Sequence, residues 1–289
     1  MTNLLIGYPH IPRAAQYTIS EDTTFVTPNE EHPNLHQNTF LGSRDTWWRS
    51  SLNSTTHYIR YDLGTGNTAA ADFLAIPRID IPRNLATAFN LTLRRSSLGG
   101  TDGVNYTDVV NHTSANVLTY MFGQYSTDYI YTFTATSAYR YWLIKLYSSA
   151  AVQFICNKIY FGTSFDMGYE PTYPLDFQLT MPSSSNFESS NGATWGVRTN
   201  LPNYEFTLVW ENITDAKIKD LSDKILNYAH TTPVILFTNT DHNVLNGFRT
   251  LHCEIIEHEI SSLYNRIDHN RVSIKFRQFE EMTSATGLS

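Results

Sequence analysis

The sequence predicts a mainly β protein of two domains: an N-terminal β-sandwich of jelly-roll type, then a β-sandwich or sheet domain carrying one flanking α-helix. Three observations carry that expectation. The chain is 41% hydrophobic but only 16% charged, with 18 Tyr, 16 Phe and 5 Trp, and aromatic and β-branched side chains suit a pleated, half-buried surface. Its first half alternates apolar and polar residues in short runs, with clusters of Gly, Asn, Asp and Ser between them, as half-buried antiparallel strands do. At 289 residues it also exceeds the usual size of one core, which makes two domains the natural division.

The strands of the first domain follow in order. "HYIRYDL" sets Tyr58, Arg60 and Asp62 against Ile59, Tyr61 and Leu63. "GTGNTAA", residues 64–70, reads as a hairpin loop, because it lacks the third glycine and following helix of a phosphate-binding turn. "DFLAIPRIDI" puts Leu74 and Ile76 opposite Phe73 and Ala75, and "NLTLRRSS" sets Leu91 and Leu93 against Thr92 and Arg94. "YRYWLIKLYSS" places Tyr141, Leu143 and Lys145 opposite Trp142, Ile144 and Leu146, and "QFICNKIYFG" closes the set. Several such strands within one domain length make a sandwich or jelly roll over residues 1–166.

"MGYEPTYPLDF", residues 167–177, changes the texture. Pro171 and Pro174 restrict their predecessors and donate nothing to a ladder, so this stretch is expected to be the linker. The second domain is expected over residues 178–280, with 281–289 as a tail. Within it, "PSSSNFESSNGATWG", residues 182–196, reads as a long polar loop or arm. A helix is predicted over 214–229: Thr214 can cap it, Asp215 suits the first turn, and Ile218, Leu221, Ile225 and Tyr228 recur at helical spacing. Asp215 with Lys219 and Asp220 with Lys224 are spaced as i,i+4 ion pairs on the exposed side. "YEFTLVWEN", "TPVILFTN", "FRTLHCEIIEHEIS" and "NRVSIKFRQF" supply the strands around the helix.

Charge and motifs exclude several functions. The formal net charge is −7 with no run of Lys or Arg, so neither nucleic acid nor an anionic membrane is an expected partner. The N-terminus has no basic n-region or apolar h-region, and no stretch has the length of a membrane span; the expectation is a chain that is neither inserted in a membrane nor exported by the general secretory route. Cys156 and Cys253 fall on apolar strands in different domains and are expected to be buried free thiols. Asn-x-Ser/Thr triplets at Asn53, Asn90, Asn105, Asn111 and Asn212 reflect an abundance of Asn and Thr.

Tests for chemistry return no catalytic residue, metal or cofactor. "LHCEIIEHEI" is the densest ionisable cluster, and on a straight strand His252, Glu254 and His258 share one face. Same-face neighbours lie about 7 Å apart, so one strand cannot wrap a metal, and the reading is a solvated strand face. There is no Gly-x-Ser-x-Gly elbow, and Asp45, Asp62, Asp102, Asp108 and Asp166 show no spacing that pairs two carboxylates for glycoside hydrolysis. Glu21 and Asp22 lack the Asp/Asn-rich surroundings of a calcium loop.

A Trp upstream of a strand ending in Asp62-Leu63-Gly64, the ordered turn in "LRRSSLGGTDGVNYTDV", and the late strand "RYWLIKLYSS" together resemble the galactose-binding-like, discoidin-type jelly roll over residues 1–165. The stretch "RTNLPNYEFTLVWENITDAKIKDLSDKIL" with its closing strands is similar to small domains of tailed-bacteriophage tail and baseplate proteins. The resemblance implies a non-enzymatic structural subunit of a phage-type tail, located in a virion assembled in the host cytoplasm. Its expected partners are copies of itself and other tail proteins, with the second domain building a ring. The alternative is a carbohydrate-binding module contacting a host glycan.

In the jelly-roll pattern an early Trp plugs the sandwich, so one of Trp47 and Trp48 is expected in the core. Adjacent residues of an extended segment face opposite ways, so the other is expected outside. With Arg44 and Arg49 it forms the candidate binding or interface group, since Trp and Arg are enriched at hot spots and stacking sites.

Overall fold

The protein is described from a computed structural model. It describes residues 4–8, 11–12, 15, 17–21, 48–50, 54–77, 79–80, 88–99, 105–115, 129–156, 158–171, 178–180, 184–188, 194–198, 203–228, 233–237, 250–262 and 269–278. Two compact units emerge: Gly7–Ser164 forms the first, and Phe165–Asn239 with Phe248–Ser289 and Met1–Ile6 the second. The segment expected as a linker is described as far as Pro171, and within it Met167 and Pro171 are buried while Gly168 adopts a φ of 82°. The expected tail, 281–289, lies outside the described residues.

In chain order the strands begin with β1 (Leu5–Tyr8), which the division cuts after Ile6, then β2 (Tyr17–Glu21), β3 (Trp48–Arg49), β4 (Thr56–Asp62), β5 (Phe73–Ile76) and β6 (Ile79–Asp80). They continue with β7 (Phe89–Ser96), β8 (Thr107–Thr113), β9 (Tyr129–Thr132), β10 (Tyr141–Ser148), β11 (Ile155–Cys156) and β12 (Tyr160–Asp166). One antiparallel sheet of the first unit has the order β2-β4-β10-β7-β8, and β12, β5 and β9 pair antiparallel in a second.

The two sheets form a sandwich because alternate residues of each point at the other. Ile59 and Tyr61 of β4, Leu91 and Leu93 of β7, and Trp142, Ile144 and Leu146 of β10 join Leu74 and Ile76 of β5, Tyr129 of β9 and Phe161 of β12 in one buried cluster. Phe161 meets Tyr61 edge-on at 5.2 Å and lies 5.6 Å from Trp142. Eleven of the largest side chains here and in the second unit are wholly buried, which is where the aromatic richness of the composition goes.

Two expectations for this unit change. Residues 64–70 are not a hairpin loop: they carry the chain from β4 in one sheet to β5 in the other. Gly64 and Gly66 take φ of 87° and 82°, Asp62 Oδ1 accepts from Gly64 N at 2.8 Å, and Ala69 bridges to Tyr139. β5 is not half-buried either, since all four of its residues are buried. The alternation read from Phe73 to Ile76 is apolar on both faces, and such a run marks a strand covered on both sides.

The second unit contains β13 (Gln178–Thr180), β14 (Ser184–Glu188), β15 (Thr194–Arg198), β16 (Asn203–Ile213), helix α1 (Asp215–Lys224), β17 (Val234–Phe237), β18 (Thr250–Ser262) and β19 (Asn270–Gln278). β13, β16, β19, β18 and β17 lie side by side in that order, all antiparallel. Phe206, Leu208 and Trp210 of β16 and Val272, Ile274 and Phe276 of β19 are buried, with Phe206 and Phe276 stacked at 5.6 Å. Together the units make the chain mainly β with antiparallel sheets and one regular α-helix among the described residues, as the composition predicts.

Helix α1 starts where its cap predicts. Thr214 Oγ1 accepts from Lys217 N at 3.4 Å, and Leu221 and Ile225 are buried. The regular helix ends at Lys224 and continues as a 3-10 turn, Leu226–Tyr228. Asp220 pairs with Lys224 at 2.8 Å as expected, but Asp215 takes a different partner from Lys219: it accepts from Asn270 Nδ2 of β19. Within the stretch read as a long polar loop or arm, β14 and β15 pair antiparallel with Phe187 opposite Trp195. The Ser-rich strand "SSNFE" hides its period-2 pattern.

Candidate functional site

Of the four residues expected as a binding or interface group, Trp48 and Arg49 are described, and Trp48 is the tryptophan of the pair that lies in the core. Trp48 is wholly buried in the first core, where β3 pairs with β11 and sets it opposite Cys156. Its neighbour Arg49 is partly buried, while Arg44 and Trp47 lie outside the described residues. Trp48 is therefore a core residue, removed from any direct contact with a ligand.

The cluster read as a wet strand face also rearranges. A bulge between Ile255 and Glu257 shifts the register of β18 against β19, so that Glu254 and Glu257 face Arg277 and Lys275 while His258 falls opposite the buried Ile274. His252 and His258 thus point to opposite faces, and no group of three metal-ligating side chains occurs among the described residues. On the charged face Glu205 accepts from Lys275 and Arg277 at 2.8 and 2.9 Å, and Arg277 reaches Glu254 at 3.0 Å. Lys275 first, then Arg277, holds the Glu205 carboxyl below its ordinary range despite some burial.

Cys156 and Cys253 are buried free thiols, each pushed up by burial. Neither is a nucleophile at neutral pH.

What the outer face of the five-stranded sheet offers is a groove of about 310 Å³, lined by Asn90, Thr92, Arg94, Asp108, Asn111, Lys145 and Tyr147. Three strands build it by simple alternation. On β7 the residues between the core-facing Leu91 and Leu93 are Asn90, Thr92 and Arg94; on β10 the residues flanking Leu146 are Lys145 and Tyr147. The register sets Lys145 directly opposite Thr92, and Tyr147 opposite Asn90.

The fourth wall depends on an irregularity. On β8, Asn111 pairs with Thr92 and Val110 with Leu93, but Arg94 pairs with Asp108, leaving Val109 as an extra residue. In an unbulged strand of the same length, positions 108 and 111 would face opposite ways; leaving Val109 out of the ladder turns Asp108 outward beside Asn111. Val109 itself packs against the core.

Hydrogen bonds then fix the polar groups. Arg94 Nε donates to Asp108 Oδ1 at 2.6 Å, Asn111 Nδ2 donates to Asp108 Oδ2 at 2.9 Å, and Arg94 Nη2 donates to the Tyr106 carbonyl at 2.8 Å. A carboxylate held at both oxygens keeps lone pairs aimed in known directions, which is the preorganisation a polar ligand requires.

Beside the groove an aromatic patch closes the rest of the face. Tyr58 and Tyr106 bury Leu143, and Tyr141 packs against them. The turn after β7 lies on this patch: Gly99 has a φ of 68°, and a Cβ there would come within 2.9 Å of the Tyr141 ring. Ser96 Oγ accepts from both Leu98 N and Gly99 N to hold the turn down. Lys145 Nζ sits 5.9 Å from the Tyr58 ring centroid. Burial first, then the positive charge of Arg94, pushes its ammonium down from the ordinary lysine range, while Asp108 acts the other way.

No family model matches the chain, and no curated protein does. Among solved structures it is similar to a CBM32 module of AlyQ in complex with 4,5-unsaturated mannuronic acid, at 20% identity and a TM-score of 0.35, over 51% of this chain and 94% of that one. It is also similar to chitosan-binding module 1 from a chitosanase/glucanase of Paenibacillus sp. IK-5, at 16% identity and a TM-score of 0.36, over 50% and 92%. A pectin-binding carbohydrate-binding module gives 14% identity and a TM-score of 0.34, over 51% and 89%.

Proposed function

We propose that the chain is a carbohydrate-binding protein, and that the groove on the outer face of its five-stranded sheet holds the saccharide. The observation that carries this reading is the groove itself: a carboxylate pinned at both oxygens, two amides, a hydroxyl, two cations and a partly exposed tyrosine ring converge on one concave face. Saccharide hydroxyls donate to carboxylates and accept from amides, guanidinium and ammonium groups, and the C–H face of a pyranose packs on an aromatic ring. A small number of placed polar groups in a shallow cleft is the usual form of such a site.

The proposed protein binds without hydrolysing. Cleaving a glycosidic bond takes two carboxylates about 5 to 10 Å apart, and Asp108 is the single carboxylate of the described lining. Both its oxygens are also engaged, by Arg94 and Asn111, which ties it to the sheet instead of presenting it to a glycosidic oxygen. Ring assembly and a place in a virion have no supporting observation among the described residues, so the proposal is confined to binding.

A glycan array followed by calorimetric titration of each retained saccharide tests the reading. Tyr147→Ala is expected to weaken binding about tenfold, the loss of roughly 1.4 kcal/mol that one stacking contact supplies, with only a small fall in melting temperature because Tyr147 is 36% exposed. An array with no retained saccharide, or a saccharide whose affinity is indifferent to both Tyr147→Ala and Asn111→Ala, would overturn it.

A further inference from the structure

We infer that the saccharide taken by this groove carries a negative charge, seated on the ammonium of Lys145. The inference deepens the carbohydrate-binding reading and rests on it.

The argument begins with charge accounting inside the groove. Asp108 is matched by Arg94, whose Nε lies 2.6 Å from Oδ1, and its other oxygen is occupied by Asn111. Lys145 has no such match: among the described residues its Nζ makes no ion pair, and it lies over the π face of Tyr58 at 5.9 Å from the centroid. The lining therefore carries one uncompensated positive charge, within a chain whose formal net charge is −7. That local sign is opposite to the whole, so it is a property of the site and not of the composition.

Lys145 is also held where a cation is poorly solvated. It stands mid-strand on β10, flanked in register by Tyr58 of β4 and Thr92 of β7, and is only partly exposed. A long side chain ordinarily extends its ammonium into water. Here the Tyr58 ring on one side and the Arg94 guanidinium on the other keep it half-dehydrated beside a like charge. An incoming anion offsets both penalties at once, whereas a neutral hydroxyl offsets little of either.

The surroundings suit an anionic group attached to a sugar better than a free ion. Asn90, Asn111 and Tyr147 lie in the same lining, and Thr92 is next to Lys145 across the strands. The acceptor oxygens among them have no use toward a bare anion, whereas donors and acceptors together match the hydroxyls of the ring that bears it. A ring carboxylate and a ring sulfate ester share this chemistry, and the experiment separates them.

The whole chain is titrated with trimers of galactose, of galacturonic acid and of 6-sulfated galactose, at low and at high salt. At low salt one anionic trimer is expected to bind at least tenfold tighter than the neutral one, with the gap closing as salt is raised; the tighter of the two anionic trimers identifies the group. Lys145→Gln is expected to bring the ratio of anionic to neutral affinity to about one, and Lys145→Arg to restore it, at melting temperatures equal to that of the parent chain. If the neutral trimer binds as tightly as both anionic ones, or Lys145→Gln weakens neutral and anionic trimers alike, the inference falls while the carbohydrate-binding reading stands. If no trimer binds and the glycan array is also empty, both fall.

Discussion

Replacing Trp48 in two ways measures what its indole contributes. The residue is wholly buried, and a buried Trp hides roughly 150–250 Å², or about 4–6 kcal/mol at about 25 cal/mol per Å². Trp48→Ala is therefore expected to cost about 3–5 kcal/mol, the usual penalty for emptying a large aromatic site. Trp48→Phe is a different experiment. The phenyl ring loses roughly 50 Å² of that contact, worth about 1.3 kcal/mol, but it also removes an indole N–H that is buried with no hydrogen-bond acceptor among the described residues. An unsatisfied buried donor costs about 1–3 kcal/mol, so the two effects offset and Trp48→Phe should lie within about 1 kcal/mol of the parent. Trp142 is the control: its Nε1 donates to the Tyr139 carbonyl at 3.2 Å, so Trp142→Phe loses contact and hydrogen bond together and is expected to cost about 2 kcal/mol. Urea unfolding followed by circular dichroism reads all three. A Trp48→Phe protein as unstable as Trp48→Ala, or more unstable than Trp142→Phe, would refute the assignment of an unsatisfied indole.

Asp62 and Arg140 form a bidentate pair at 2.7 and 2.9 Å, and the Arg140 hydrogen bond, more than any other contact, holds the Asp62 carboxyl below the usual range. Its contribution is complete above the ordinary carboxylate pKa and is lost as pH falls through the depressed folded value, so Asp62→Asn should cost about 1–3 kcal/mol at pH 7 and little near pH 2; thermal melts that stay parallel across that range would contradict this. In the second unit, Leu221→Asp should cost several kcal/mol by burying an unpaired charge, while Lys219→Ala, on the exposed side of α1, should cost well under one; equal shifts in melting temperature would mean the helix faces are reversed. Adding EDTA should leave the melting temperature unchanged, since a metal bound to the folded chain would stabilise it by mass action; a fall of many degrees would reveal a site built from residues outside those described.

The sandwich was legible because its signal is periodic: Leu91, Leu93, Trp142, Ile144 and Leu146 recur at every second position of their strands, and each occupies the core as the pattern requires. The helix was legible from its cap and its spacing, although Asn270 and not Lys219 claims Asp215, because a partner 55 residues away leaves no local trace. Asn90, Thr92, Arg94, Lys145 and Tyr147 could be placed on the outward face from alternation alone. That they converge with Asp108 and Asn111 could not, since the pairing of β7 with β8 on one side and β10 on the other is a tertiary fact and a spacing of three residues breaks the period of a strand. The same kind of irregularity defeated the reading of His252, Glu254 and His258 as one face. The jelly-roll pattern placed one of Trp47 and Trp48 in the core, and burial shows that Trp48 is core; which of the two it would be left no local trace in the sequence.

The extra residue at Val109 makes the groove a matter of parity. Asp108 faces outward because one residue between it and Val110 is left out of the ladder. Deleting Val109 would set Asp108 directly beside Val110, opposite Arg94 and still outward, as a plain strand requires. Drawing Val109 into the ladder without shortening the chain would instead turn Asp108 toward the core and strip Arg94 of its counter-ion. Homologues that keep the groove should therefore either keep the bulge or lose one residue between Asp108 and Val110, and not straighten the strand at constant length.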